Sequence, residues 1–427
     1  MAAERTLWRD VVCPFCGLAC DDLAIEREGD RLSVREAGCA RSRAQFERPQ
    51  REAEPQIDGN ATDLASAVAR AADLLQDSRL PLFAGLATDV DGMRAVMQLA
   101  DRIGGVVDHA GSDALFRNLR ILQDSGWITT TLSEVRNRMD LLLIVGHWPE
   151  EAFPRFIERC VEPEQTLSSD APLVRQIVRV GPPAPDGSAA KSGPPVLELP
   201  CAIERLPEAV AALRCLVNEQ QLAASEVAGI PVAGLRELAE RLRSARYGVI
   251  AWAAADLTFA GAELTVQALS ALVQDLNRTT RCALLPLTGT DNLIGVNQVC
   301  TWQSGYPLRT GFGRGIPEHD LHLFSAQRLL DTGEADALVW ISAFREASLP
   351  VASGVPTVVI ATPGTTWTNP PAVFIPVGTP GMDHKGSLFR MDSVVMLRLA
   401  ALRDSPLPSV ATAISQIDAA LAARKEA

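Results

Sequence analysis

Residues 11–22 read VVCPFCGLACDD and place Cys13, Cys16 and Cys20 close together, with Cys39 following in EAGCARS. The spacing C-x2-C-x3-C-x18-C constrains the N-terminal region more than any other feature of the chain. Four soft thiolates in this arrangement suit a metal centre. All-cysteine zinc sites favour paired C-x2-C knuckles, whereas a [4Fe–4S] cluster takes one thiolate per iron. Here three thiols share a short loop and one arrives from a distance, so the spacing favours the cubane-type set. The competing reading is four buried thiols that hold no metal. Leu23-Ala24-Ile25 and Leu32-Ser33-Val34 flank Gly29-Asp30, the pattern of a hairpin. Such a hairpin returns Cys39 to the other three.

The remaining composition excludes several function classes. A chain of 427 residues allows two to four domains at roughly 100–200 residues each. The formal net charge of −12 argues against a nucleic-acid partner, which needs clustered cations, and against an anionic membrane surface. None of the three lysines, Lys191, Lys385 and Lys425, lies in a GxxxxGK[ST] context, so a P-loop is excluded. The first residues lack the apolar core of a secretory signal. No apolar run reaches the roughly 18 residues of a membrane span. A cytoplasmic protein with reduced thiols is the expectation. Cys160, Cys201, Cys215, Cys282 and Cys300 read as small buried hydrophobes.

Beyond residue 55 the pattern turns α/β. Leu82-Phe83-Ala84 is an apolar strand, followed by Met93, Val96, Met97, Ala100 and Ile103 at helical spacing and a stop at Gly104-Gly105. A second strand covers 141–145. The same order of elements recurs over 246–350. Continuous apolar strands alternating with helices predict parallel sheets covered on both faces. The division expected is a cysteine-cluster domain over 1–55, α/β lobes over 56–200 and 201–370, and a C-terminal segment over 371–427. GPPAPDGSAAKSGPP, residues 181–195, reads as a loop between two strands. The tail SVATAISQIDAALAARKEA reads as an amphipathic helix. Trp302, Tyr306, Arg309 and Phe312 in one loop, and the segment VVMLRLAALRD, offer candidate interface residues. His109, His147, His319, His322 and His384 are too scattered for a histidine metal site and read as surface or second-layer residues.

CPFCGLACDDLAIEREGDRLSVREAGCARS resembles the opening of the B subunit of formylmethanofuran dehydrogenase. The likeness continues in TLSEVRNRMDLLLIVGHWPEEAFPRF, GVNQVCTWQSGYPLRTGFGRGIPEHD and GTPGMDHKGSLFRMDSV, and spans nearly the whole chain. The resemblance implies a molybdopterin-oxidoreductase-like α/β fold with Rossmann-like lobes. In that family it further implies a [4Fe–4S] cluster, here on Cys13, Cys16, Cys20 and Cys39, and a tungsten or molybdenum centre on two pterins. Family loops like the one carrying Gly378, Gly381 and Gly386 approach the pterin.

One departure outweighs these likenesses. The metal-ligating cysteine and the histidine after it align with Asp113 and Ala114, in HAGSDALFRNL, and no cysteine occurs between Cys39 and Cys160. No catalytic residue and no tungsten or molybdenum pterin are therefore expected. Arg314 matches a family active-site arginine but reads as a loop-holding residue once the ligand is gone. The pattern resembles the B subunit of the bacterial formyltransferase/hydrolase complex. That resemblance implies a non-catalytic scaffold beside an amidohydrolase-like A subunit, a β-helical C subunit and a formyltransferase D subunit. Together these convert formyl-tetrahydromethanopterin to formate through a methanofuran-type carrier in one-carbon metabolism. Two other readings stay open: an active tungsten or molybdenum dehydrogenase subunit with an atypical ligand, and an iron–sulfur subunit of another assembly.

Overall fold

The structure is a computed structural model and describes residues 5–163, 165–167, 174–183, 196–349 and 354–425. The chain forms two compact units, one from residues 1–112 with 289–427 and one from 113–288. In sequence the second is an insertion into the first.

The first unit is built on a nine-stranded sheet. Its central strands Val106–Val107, Pro81–Ala87, Ala337–Ser342, Thr357–Ala361 and Val373–Pro376 run parallel in that spatial order. PLFAGLA is buried at every position, which only a strand covered on both faces requires. That strand bends at Gly85, where φ is +76° and a Cβ would stand 2.7 Å from the Ile341 carbonyl. The helix Val90–Ile103 covers the sheet. Asp89 caps it by accepting the Gly92 N–H at 3.1 Å, and Gly104 ends it with φ +75°. Met93, Val96, Met97 and Ala100 are buried, as their spacing predicts. The tail forms the helix Val410–Lys425, which rests on Val90–Ile103 and Leu64–Gln76 through Val410, Ala413, Ile414, Ile417 and Leu421. The predicted hairpin is present as Leu23–Glu28 paired antiparallel with Arg31–Glu36. A third strand, Arg5–Val11, extends it.

The second unit holds a five-stranded parallel sheet in the order Val196–Pro200, Gln176–Gly181, Leu141–Val145, Gly248–Ala253, Cys282–Leu287. Trp252 lies in its core, donating from Nε1 to Asn118 Oδ1 at 3.1 Å. Arg179 is buried in a strand and tolerated because Glu198 at 2.7 Å and the Gly146 and Pro182 carbonyls take its donors. Most of the predicted loop, residues 184–195, lies outside the described residues.

The lobes expected at 56–200 and 201–370 do not each form a sheet. Pro81–Ala87 pairs with Ala337–Ser342 in one unit, and Leu141–Val145 with Gly248–Ala253 in the other. The recurring order of elements is real, but the two repeats exchange strands. Apolar periodicity identifies a buried strand without naming its neighbour, and that choice is non-local. Residues 371–425 belong to the first unit rather than standing apart. Among the described residues, no helix is long and apolar enough to cross a membrane.

Candidate metal centre

The three N-terminal cysteines sit on a loop that folds back on itself. The Cys13 N–H donates to the Cys20 carbonyl at 2.7 Å, and the Ala19 N–H to the Cys16 carbonyl at 3.1 Å. Cys13, Cys16 and Cys20 are buried. Cys39 is half-buried and starts the helix Ala40–Phe46. Its Sγ accepts the Ser42 N–H at 3.3 Å, while Ser42 Oγ accepts the Cys39 N–H at 2.9 Å. Phe15 of the loop meets Phe46 of the helix edge-on at 4.9 Å. The hairpin and this ring contact thus bring Cys39 back to the loop.

The thiols feel one another. Burial, then the neighbouring Cys16, pushes the Cys13 thiol well above its ordinary range, and Cys20 and Cys39 add to the effect. Burial, then Cys20, pushes Cys16 up to about 11. Without a bound cation these groups stay protonated at neutral pH; a metal would take the place of the protons. Among the described residues, no group of three or more His, Cys, Asp or Glu is placed to hold a metal ion. A single tetrahedral zinc needs its sulfurs about 2.3 Å from one point. A cubane gives each thiolate its own iron, so its ligands need only ring a shared space. Four cysteine thiols supply the donor chemistry of that second case.

The positions matched to the family Cys-His pair have local structural work. Asp113 is exposed in the first turn of the helix Ser112–Ser125, where a carboxylate complements the helix dipole. Ala114 packs against the core of its unit. Arg314 is an exposed loop residue, its side chain 76% accessible, paired with Glu318 at 2.9 Å. The loop carrying Gly378, Gly381 and Gly386 is pinned by Asp383, which accepts the Thr379 N–H at 2.7 Å and pairs with Arg403 at 2.6 Å.

Of the histidines read as surface or second-layer residues, His109 lies below the surface. It is 5% exposed, and nothing in its sequence neighbourhood signals this. Its Nδ1 accepts the Gly111 N–H at 2.8 Å, so Nε2 carries the hydrogen and donates to the Asp291 carbonyl at 3.3 Å. The Asp291 carboxylate is engaged by Arg345 at 2.8 Å. Of the expected interface anchors, Phe312 is buried and Arg309 half-buried. Phe312 is 4% exposed, and Arg309 is held by Asp108 at 3.4 Å and the Leu321 carbonyl at 2.7 Å.

No family model matches the chain. The B subunit of the tungsten-containing formylmethanofuran dehydrogenase 2 of Methanocaldococcus jannaschii is 30% identical over 414 residues, covering 93% of this chain and 94% of that protein. The chain belongs to the family of formylmethanofuran dehydrogenase B subunits. The B subunit of the formyltransferase/hydrolase complex Fhc of Methylorubrum extorquens is 32% identical over 342 residues, 78% of this chain and 87% of that one. A chain in the crystal structure of that complex with methylofuran superposes with a TM-score of 0.75 at 28% identity, over 87% of this chain and all of that one. Acetylene hydratase of Pelobacter acetylenicus superposes with a TM-score of 0.62 at 9% identity, over 98% of this chain and 70% of that one, and shares the fold alone. The molybdopterin-oxidoreductase-like α/β architecture expected of a formylmethanofuran dehydrogenase B subunit is therefore present.

This member of the formylmethanofuran dehydrogenase B family has a built-in acid sensitivity at His109. Burial pushes the imidazole below its ordinary value, partly opposed by Asp291. The unfolded chain takes up a proton below about pH 6.5 that the folded chain refuses. Stability is therefore full above about pH 6.5 and falls as the pH drops towards the depressed folded value. Urea midpoints measured between about pH 7 and 5.5 should fall less in His109→Gln than in the wild type. Equal slopes would remove His109 as the cause.

Proposed function

We propose that the chain is a non-catalytic B subunit of a formyltransferase/hydrolase-type assembly, organising other subunits that carry out the formyl chemistry. The observation that carries the reading is Asp113-Ala114 at the segment matched to the family Cys-His pair. Formate chemistry at a pterin-bound metal needs the ligand and a nearby proton-transfer group, and both side chains are replaced together. The next cysteine along the chain, Cys160, is buried. The exposed Arg314–Glu318 pair supports the same reading. So does the likeness to the B subunit of the Methylorubrum extorquens complex in sequence and fold. The partners proposed are the amidohydrolase-like A, β-helical C and formyltransferase D subunits, working on a methanofuran-type carrier in the cytoplasm. Cys13, Cys16, Cys20 and Cys39 are proposed as ligands of one [4Fe–4S] cluster that ties the N-terminal loop to the helix Ala40–Phe46.

A second reading, a tungsten or molybdenum dehydrogenase with a carboxylate ligand, is favoured by the 30% identity to a tungsten-containing relative over 93% of the chain. One experiment separates them. The partner subunits are co-expressed with and without this chain, formate release is measured, and tungsten, molybdenum and iron are quantified by mass spectrometry on the anaerobically purified assembly. The scaffold reading expects no stoichiometric tungsten or molybdenum, and loss of formate release when the chain is omitted. Stoichiometric tungsten or molybdenum with pterin establishes the dehydrogenase instead. Full formate release without the chain removes the scaffold role.

A further inference from the structure

The hairpin Gly386–Phe389 and Met396–Leu399 pairs Phe389 with Met396 and Ser387 with Arg398. Opposed residues of an antiparallel pair share a face, with Cβ atoms about 5 Å apart. Phe389 and Met396 therefore stand side by side on one face. Leu388 and Leu397 turn to the other, against the buried cluster of Val12, Ala19, Phe344 and Leu399. Trp302, near the end of the helix Leu293–Ser304, sets its ring edge-on to Phe389 with centroids 5.5 Å apart. Val394 lies in the hairpin turn, two residues before Met396. The result is one apolar strip drawn from two segments some ninety residues apart in sequence. Trp302 is 59% exposed, Val394 58% and Met396 49%. A contiguous patch of large apolar side chains left in water marks an interaction site.

Its rim is cationic. Arg398 lies on the same face as Met396, and Lys385 directly precedes the hairpin; both are exposed. Among the described residues neither has an ion-pair partner, whereas neighbouring Arg390 and Arg403 are engaged by Asp392 and Asp383. Free cations around an apolar strip, in a chain of net charge −12, call for carboxylates on whatever covers it. A second copy of this chain would turn the same cationic rim towards its own image.

We propose that Trp302, Phe389, Val394 and Met396 form a docking surface for another subunit of the assembly, taken through a segment with a large apolar side chain flanked by Asp or Glu. The proposal rests on the reading of the chain as an assembly subunit and names the surface that reading leaves open. Trp302 is the anchor, a residue type that dominates interface energetics. Lys385 and Arg398 set orientation and association rate.

The test uses the co-expressed, purified assembly. Trp302→Ala with Met396→Ala should weaken binding of this chain to its partner about thirtyfold. Lys385→Glu with Arg398→Glu changes only exposed cations and leaves folding intact. It should slow association and reverse the sign of its dependence on salt. A photo-crosslinking residue in place of Met396 should join the chain, within the wild-type assembly, to a partner peptide carrying Asp or Glu beside an apolar residue. Crosslinks to a second copy of this chain, or wild-type affinity in both double variants, overturn the docking surface and leave the subunit reading standing. If the wild-type chain binds no partner at all, both fall.

Discussion

Asp383→Asn should destabilise the unit formed by residues 1–112 and 289–427 by roughly 3–5 kcal/mol, the loss typical of breaking a buried ion pair. Asp383 pairs with Arg403 at 2.6 Å, and the two side chains are 6% and 5% exposed. Its other oxygen accepts the Thr379 N–H at 2.7 Å. Arg48 belongs to the same knot. Burial pulls its guanidinium below the usual arginine range, and the nearby Asp383 charge is the largest influence opposing that. Arg48 donates to the Gln45 side chain at 3.0 Å, the Phe344 carbonyl at 3.2 Å and Thr379 Oγ1. Neutralising Asp383 removes the carboxylate that serves both the buried Arg403 and the half-buried Arg48. The urea midpoint reports the loss. Asp383→Leu with Arg403→Met supplies the control, because replacing a buried pair by apolar groups is often close to neutral. If the single variant is as stable as the double, the knot does not hold this loop. The loop it holds, residues 377–384, leads directly into the hairpin proposed to dock a partner. Asp383→Asn should therefore also weaken assembly, while the control pair should not.

Trp252→Ala should cost the unit formed by residues 113–288 roughly 3–5 kcal/mol, as deletion of a large buried aromatic does. Trp252 is 1% exposed, sits edge-on to Trp127 at 5.6 Å and donates to Asn118 Oδ1 at 3.1 Å. The truncation opens a cavity and also strands Asn118, whose Nδ2 already lacks a partner among the described residues. Trp252→Phe keeps most of the volume and loses only the donor, so it should recover more than half of the stability. A midpoint for Trp252→Ala within error of wild type would mean that the site collapses around the smaller residue.

The elements of this fold were legible in the sequence wherever the cause is local. The apolar run Leu82-Phe83-Ala84, the helical spacing of Met93 to Ile103 and the turn at Gly29-Asp30 each describe their own neighbourhood. The close spacing of Cys13, Cys16 and Cys20 was legible for the same reason, and the structure sets them on one folded-back loop. Sheet partners were not legible. The two repeats look alike in element order, and only tertiary packing pairs Pro81–Ala87 with Ala337–Ser342. His109 is buried because Asp291 and Gly111 meet it, and no pattern around His109 announces a contact so distant in the chain. Arg309 and Phe312 carry the chemistry of interface anchors and yet turn inward, half-buried and buried, whereas Trp302, on the helix just before them, finds Phe389 and stays in water. Residue type sets what a side chain can do in either place. Which place it occupies depends on groups brought together across hundreds of residues, and that the tertiary structure alone decided.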